Sequence, residues 1–461
     1  MNIILPFCTI CVLLAIGKLL RVKVKCFQAL YIPSSILSGI LALALIQIII
    51  AVFKDTGSEV VATYTAGWSK LPGFLINIVF AGIFLGTKVP TVKDAWNKAG
   101  PQLVYGQIVA FGQYVVGLGL AIFLLGNLFD IPAIFGGLIP VGFEGGHGTA
   151  AGLADTFAQY GWAEGKDLAL ASATFGIVSA VIVGMVLINW AIRKGYVTSV
   201  KQLDEMSEFE RAGLYVKETQ PTAGRQTVAC HSIDSLAFHI AIIGVAILVG
   251  LGILEILKFI EMQIPGMREL GIFQGFPLFP LAMIGGLIVQ IFFDKCKRSY
   301  LLDHGLMQRV GGTALDFLVV SAIAIISINS ITSNFAPFII IVVGGILWNV
   351  FCVMFLARRL LPNYWFERAI AEMGQSMGVT ATGVLLLRAV DPDGQTDAPE
   401  AFAYKQLLHE PFMGGGLFTT TAVILMLKYA NGGLIVLGIA VSAMILWLII
   451  WFILWGHKKK Q

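Results

Sequence analysis

The chain is expected to be an all-α polytopic membrane protein. Two inverted-topology repeats, each of five transmembrane helices plus one re-entrant hairpin, are followed by an extra C-terminal helix. Three observations carry this. The 461 residues are 57% hydrophobic and 13% charged, whereas a soluble domain carries about 25% charged residues, and apolar runs of spanning length recur throughout. Basic residues gather in alternate connections between those runs. Two glycine-broken polar segments, 142–152 and 373–383, occupy matching places in the two halves, the pattern that marks a transporter's binding site.

The expected spans are Ile3–Leu20, Tyr31–Phe53, Leu71–Leu85, Leu103–Leu125, Leu168–Ile192, Leu236–Ile260, Phe276–Phe293, Gly312–Ile331, Phe335–Ala357, Lys405–Leu427 and Leu434–Trp455. Ile3–Leu20 lacks a basic leader and a cleavage site, so it reads as a retained helix. Ile131–Tyr160 and Glu367–Val390 break near their middles into arms too short to span. With the N-terminus outside, Arg21, Lys23, Lys25, Lys88, Lys93 and Lys98 lie inside. Arg193/Lys194, Lys295/Lys297/Arg298 and Arg358/Arg359 join them only if Ile131–Tyr160 turns back as a hairpin. The Lys458–Lys460 tail lies inside only if Glu367–Val390 turns back too.

The expected organisation is a first repeat at 1–192 with its hairpin at about 131–160, and a cytoplasmic linker at 193–235. A second repeat follows at 236–427 with its hairpin at about 367–390, then the extra helix at 434–455. Ile32-Pro33 is echoed by Phe276-Pro277, and the 148–152 string by 378–383. The C-terminus is cytoplasmic in this scheme.

The first tip, Gly142-Phe-Glu-Gly-Gly-His-Gly-Thr-Ala-Ala-Gly152, puts an acid and a histidine at membrane depth, where charge is costly and marks function. Gly145, Gly146, His147, Gly148 and Thr149 are candidate substrate-binding residues. Half-helix ends there attract ions, although small residues also serve tight packing. His147 suits a structural bond in the tip as well as substrate contact. The second tip offers neutral groups for an ion or amino-acid-like solute: Gln375, Ser376, Gly378, Thr380 and Thr382. Glu144, Thr149 and Asp316 are candidates for a sodium or proton site, since hard cations take oxygen ligands. Asp316 also suits simple pairing with a helix dipole.

Asn77 and Asn349 are expected to bond between helices. His409 and Glu410 are expected near solvent at the end of their span, and Asp155 near the outer end of its arm. Trp447, Trp451 and Trp455 read as lipid-facing or interfacial anchors. The six cysteines show neither disulfide nor metal-ligand spacing, and no nucleophile accompanies His147, so an intramembrane enzyme is disfavoured. No cofactor and no nucleic-acid partner are expected.

At Gly145-Gly-His-Gly-Thr149 followed by Ala173-Thr-Phe-Gly176, with Ile32-Pro33, Gly39 and the broken segment 374–383, the chain resembles the bacterial sodium/glutamate symporters. The resemblance covers nearly everything but the last helix. It implies an inverted-repeat carrier whose two re-entrant loops meet at the midplane. It also implies symport of glutamate with sodium by an elevator-like movement, in a homodimer of the inner membrane. Two departures stand out. Glu144 replaces a residue that is usually small in the well-known members. Phe412–Ala422 carries three glycines and Thr419-Thr-Thr421 where those members place an acid. An extra negative charge at the tip repels a dicarboxylate unless a cation or proton neutralises it.

The expected function is therefore secondary transport of glutamate or a related small organic anion, with sodium as coupling ion. The alternatives are a channel or uniporter whose tips form a filter, and a proton-coupled carrier of another carboxylate.

Overall fold

A computed structural model of the protein describes residues 4–29, 32–65, 67–87, 92–197, 213–264, 268, 273, 276–326, 328–391 and 395–456. Tyr31, Lys88, residues 198–212 of the linker and the Lys458–Lys460 tail lie outside the described residues. Among those described there is no strand. In order, the helices are α1 (Ile4–Lys23), α2 (Lys25–Ala29), α3 (Ser34–Thr65), α4 (Leu71–Gly82), α5 (Val92–Leu120), α6 (Gly146–Gly152), α7 (Ala154–Gln159), α8 (Gly165–Arg193), α9 (Ser235–Gln263), α10 (Phe279–Lys295), α11 (His304–Ala324), α12 (Ile328–Ser333), α13 (Phe335–Phe351), α14 (Trp365–Val390), α15 (Ala398–His409), α16 (Leu417–Lys428) and α17 (Gly432–Trp455). Eight stretches among the described residues are long and apolar enough to cross a membrane, so this is a multi-pass membrane protein. Leu71–Gly82 and Leu417–Lys428 are apolar but shorter.

Several boundaries differ from expectation. The helix expected at Gly312–Ile331 starts at His304, because the Asp303 carboxylate accepts from Leu306 N and caps it. It ends at Ala324, and Ile328–Ser333 forms a separate turn. The span expected at Lys405–Leu427 is not continuous. It breaks between His409 and Leu417, where Pro411 removes a backbone donor and Gly414 and Gly415 take φ of 61° and 104°.

The chain forms two compact units that do not coincide with the two halves of the sequence. The first comprises Met1–Val89, Ala151–Thr156 and Ser207–Ile326. Its core joins Ala81 and Leu85 to Ile243, Ala246 and Ala282, and Ile10 and Leu13 to Val320 and Ala324. The buried His239 ring accepts from Asp303 N at 2.8 Å, which leaves Nδ1 to donate to Ser235 O at 2.6 Å and pins α9 to the start of α11.

The second unit comprises Pro90–Ala150, Phe157–Met206 and Ser327–Gln461. It contains the glycine-broken segment 373–383 and the first such segment as far as Ala150, with Ala151 and Gly152 belonging to the first unit. In the first segment, the chain leaves through Phe135 and returns through Phe157 and Trp162. The Phe135 and Trp162 rings lie 6.4 Å apart and those of Phe157 and Trp162 5.4 Å apart. In the second, α14 kinks at Gly378 and Val379 and folds back. A Cβ on Gly374 would lie 2.7 Å from Gly383 Cα, and one on Gly383 would lie 2.6 Å from Ala371 O. A straight helix separates residues nine apart by roughly 13 Å, so the two arms lie side by side.

Helix α8 packs beneath both segments. Ser172 donates to Leu138 O at 2.9 Å, and Gly176 passes so near Met377 O that a Cβ would stand 2.3 Å from it. The last helix is packed rather than merely immersed in lipid. Trp451 donates to Leu360 O at 2.8 Å, and Trp455 lies against Trp96 at 5.8 Å. An indole N–H in hydrocarbon needs a partner, and for Trp451 a neighbouring helix end supplies one. Asn77 bonds back to Gly73 O in its own helix rather than across to another. Asn349 does bond between helices, accepting from Ser376 Oγ at 2.6 Å. The six cysteines are all unpaired.

Candidate functional site

Glu144 ends a wide helical turn, Pro140–Glu144, that bonds every fifth residue, a feature common at functional sites. Two residues on, Gly146 reverses the chain with φ of 66°. Val379 holds φ 64°, ψ 171°, a region that is almost confined to glycine and costs of order 1–3 kcal/mol. A Cβ on Gly146 would stand 2.3 Å from Val379 Cγ1, so the two tips touch.

Around this contact lies a connected polar network. Glu144 is 4% exposed. Its Oε1 accepts from His409 Nε2 at 2.6 Å and from Gln375 Nε2 at 3.2 Å, while Oε2 is buried without a hydrogen-bond partner. His409 is fully buried, with Gln107 Nε2 3.2 Å from its Nδ1. An amide nitrogen only donates, so Nδ1 accepts, Nε2 carries the proton, and His409 meets Glu144 as a neutral donor.

Lys405, fully buried, places Nζ 2.6 Å from Glu372 Oε1, 2.9 Å from Gln406 Oε1 and 3.2 Å from Gln375 Oε1. Gln102 donates to Glu372 Oε2 at 3.0 Å. Glu410 Oε1 accepts from Thr380 Oγ1 at 2.7 Å and from Gln406 Nε2 at 3.1 Å. The Glu144 and Glu410 side chains converge on Gly414, whose Cβ would lie 3.6 Å from Glu410 Oε2 and 4.0 Å from Glu144 Cγ.

The structure brings most of the expected site residues together. Gly145, Gly146, Gly148, Thr149, Gln375, Ser376, Gly378 and Thr380 all lie at or beside the tips, in the second unit. Thr149 donates to Gly414 O at 3.0 Å. Ser376 is turned away from the tip contact toward Asn349. His147 bonds Thr174 Oγ1 at 2.9 Å; Thr174 already donates to Leu170 O, so it accepts from the imidazole and ties the tip to α8. Asp316 belongs to the first unit and is exposed there. Asp155 is exposed.

His409 was expected near solvent and is instead at the centre of the network. Lys405, Glu372, Gln406, Gln102 and Gln107 are further members that the sequence reading left unassigned. A signal for them existed. Residues 405, 406, 409 and 410 share one helical face just before a proline and three glycines. Among the described residues no three histidine, cysteine, aspartate or glutamate groups gather as a metal cluster. The free groups at the tips are oxygens, which suit hard monovalent cations or a polar solute.

Eight apolar stretches of spanning length among the described residues, with a polar, partly unsatisfied carboxylate network beside two touching kinks in the second unit, define the class: a polytopic membrane protein. A family model described as sodium/glutamate symporter matches residues 1–392, and the chain belongs to that family. It is 22% identical over 381 residues to the sodium/glutamate symporter of Escherichia coli (strain K12), covering 82% of this chain and 86% of that protein. It is 21% identical over 348 residues to the sodium/glutamate symporter of Haemophilus influenzae, covering 72% and 80%. No solved structure matches the chain. The family match ends before Lys405, Gln406, His409 and Glu410.

Proposed function

We propose that this protein is a secondary carrier that moves glutamate, or a related small organic anion, together with sodium by an elevator-like alternating-access movement. The observation that carries the proposal is the orphaned Glu144 Oε2 beside the contact of the two tips. A buried carboxylate oxygen without a donor is costly, and a bound cation or proton removes that cost. The family's description supplies the substrate and the ion.

Two inverted repeats at 1–192 and 236–427 belong to the same proposal. The helices leading into both glycine-broken segments carry a wide turn near their ends, at Ala121–Leu125 and Cys352–Leu356, as repeats would. Each compact unit draws on both halves, as a fixed frame and a moving body built from two repeats would. An outside N-terminus, a cytoplasmic C-terminus and re-entrant tips follow from the placement of basic residues. Homodimer formation in the inner membrane rests on the family resemblance.

Reconstituted protein tests the proposal. Under an inward sodium gradient, labelled glutamate is expected to accumulate above its external concentration, and to leak back when the gradient is dissipated. Equilibration without accumulation identifies a uniporter or channel instead. Accumulation driven by a proton gradient alone identifies a proton-coupled carrier.

A further inference from the structure

The network has an unequal balance of charge. Three carboxylates, Glu144, Glu372 and Glu410, surround one ammonium, Lys405. His409 contributes no charge, because Gln107 holds it as the neutral tautomer. Lys405 touches Glu372 directly and reaches the other two acids through one amide each. Gln375 accepts from Lys405 and donates to Glu144. Gln406 accepts from Lys405 and donates to Glu410. The ammonium thus donates to the oxygens of Gln375 and Gln406 and is ion-paired with a third oxygen, Glu372 Oε1, at 2.6 Å. This all-oxygen shell is of the kind a hard cation takes. The opposite wall is opened by Gly106, where a Cβ would stand 2.4 Å from Lys405 Cε and 2.6 Å from Glu372 Oε1.

We infer that Lys405 is a tethered cation: its ammonium permanently fills an oxygen cage that would otherwise hold a mobile monovalent ion. One of the three carboxylate charges is thus balanced within the chain. The two at Gly414, Glu144 and Glu410, are left for cations that enter and leave with the substrate. This rests on the ion-coupled reading above and adds to it the number of charges left for mobile ions.

The test uses the full chain, purified in detergent without substrate. Thermal stability is titrated with NaCl, KCl or choline chloride at constant ionic strength. Lys405→Ala empties the cage but leaves Glu372. It is expected to gain a saturable stabilisation by sodium or potassium beyond that of wild type, absent with choline. Adding Glu372→Gln to Lys405→Ala removes the charge that holds the ion and is expected to abolish that gain. A Lys405→Ala protein whose cation response matches wild type overturns the inference, as does a gain that survives Glu372→Gln.

If Lys405→Ala does not yield folded protein, the double variant Glu372→Gln/Lys405→Met decides. Its core loses both charges together, a change that buried pairs tolerate. Its sodium midpoint is expected within about tenfold of wild type, and a larger displacement overturns the inference. Failure of the sodium reading is distinguishable, since it shows as a wild-type protein with no sodium response. The difference between Lys405→Ala and wild type, taken with each cation, still decides the tethered-cation assignment.

Discussion

Gly146 and Val379 meet tip to tip, both with positive φ, and a single methyl group on Gly146 would stand 2.3 Å from the Val379 side chain. Sequence pattern and backbone geometry agree here. Each segment breaks where its glycines fall, and the two breaks are adjacent in the second unit. Val379 is the exception to the glycine rule, a β-branched residue in a region that is almost glycine-only. Its side chain fills the space that the missing side chain of Gly146 leaves open.

Gly146→Val is expected to reduce uptake to background while membrane expression persists. A left-handed backbone costs an L-residue roughly 1–2 kcal/mol, and overpacking against Val379 adds about 1–3 kcal/mol. Gly378→Val is expected to act alike, since its Cβ would lie 3.2 Å from Ile177 Cα. Gly146→Ala combined with Val379→Gly relieves the overlap and is expected to recover part of the Gly146→Ala loss. Labelled-substrate uptake normalised to surface expression measures all four. Normal uptake by Gly146→Val would return this glycine to a packing role.

Glu144→Gln keeps the acceptor that His409 and Gln375 require and removes the charge. Its new amide donors face the space where Oε2 has no partner, so stability is expected to fall by only about 1–3 kcal/mol. Uptake is expected to lose its sodium or pH dependence, with exchange of preloaded substrate less affected. An unchanged sodium curve together with an unchanged pH profile leaves Glu144 a structural role alone.

Gly106→Ala tests the cage from outside the charged groups. The added methyl would collide with Lys405 Cε and Glu372 Oε1, and the melting temperature is expected to drop by the equivalent of about 1–3 kcal/mol. Gly119→Ala on the same helix meets nothing within 4 Å and is expected to be neutral or slightly stabilising. Equal melting temperatures for the two variants would contradict the packing described for Lys405.

Topology is checked by cysteine labelling in a cysteine-free background, because Cys8, Cys26, Cys230 and Cys296 are exposed. Glu164 and Gln395, both exposed, are expected to label from outside and inside respectively when replaced by cysteine. Labelling of both from one side would rule out the inverted arrangement.

The broken segments were legible in the sequence because glycine-rich polar strings interrupt long apolar runs at Gly145–Thr149 and Gly374–Gly383. Glu144 stood out for the same reason, as a charge where lipid demands none. The break at Pro411–Gly416 was misread. The flanking residues are apolar enough to span if joined, and hydropathy does not register the backbone donor that Pro411 lacks. His409 and Lys405 were misplaced with it, since a charge at the end of a span is ordinary and one in the middle of a broken helix is not. Nothing local to residue 405 encodes its partner at 372. That pairing depends on α14 folding back beside α15, a long-range contact. Trp451 shows the same limit: nothing near residue 451 in the sequence points to its bond with the carbonyl of Leu360.

The family match ends at residue 392, so Glu144, Glu372 and Gln375 lie within the matched region and Lys405, Gln406, His409 and Glu410 lie beyond it. Glu144 accepts from His409, and a buried acceptor that loses its donor costs about 1–3 kcal/mol. A chimera that joins residues 1–392 of this chain to a foreign C-terminal portion would therefore import the acids Glu144 and Glu372 without Lys405 and His409, the groups that stand opposite them.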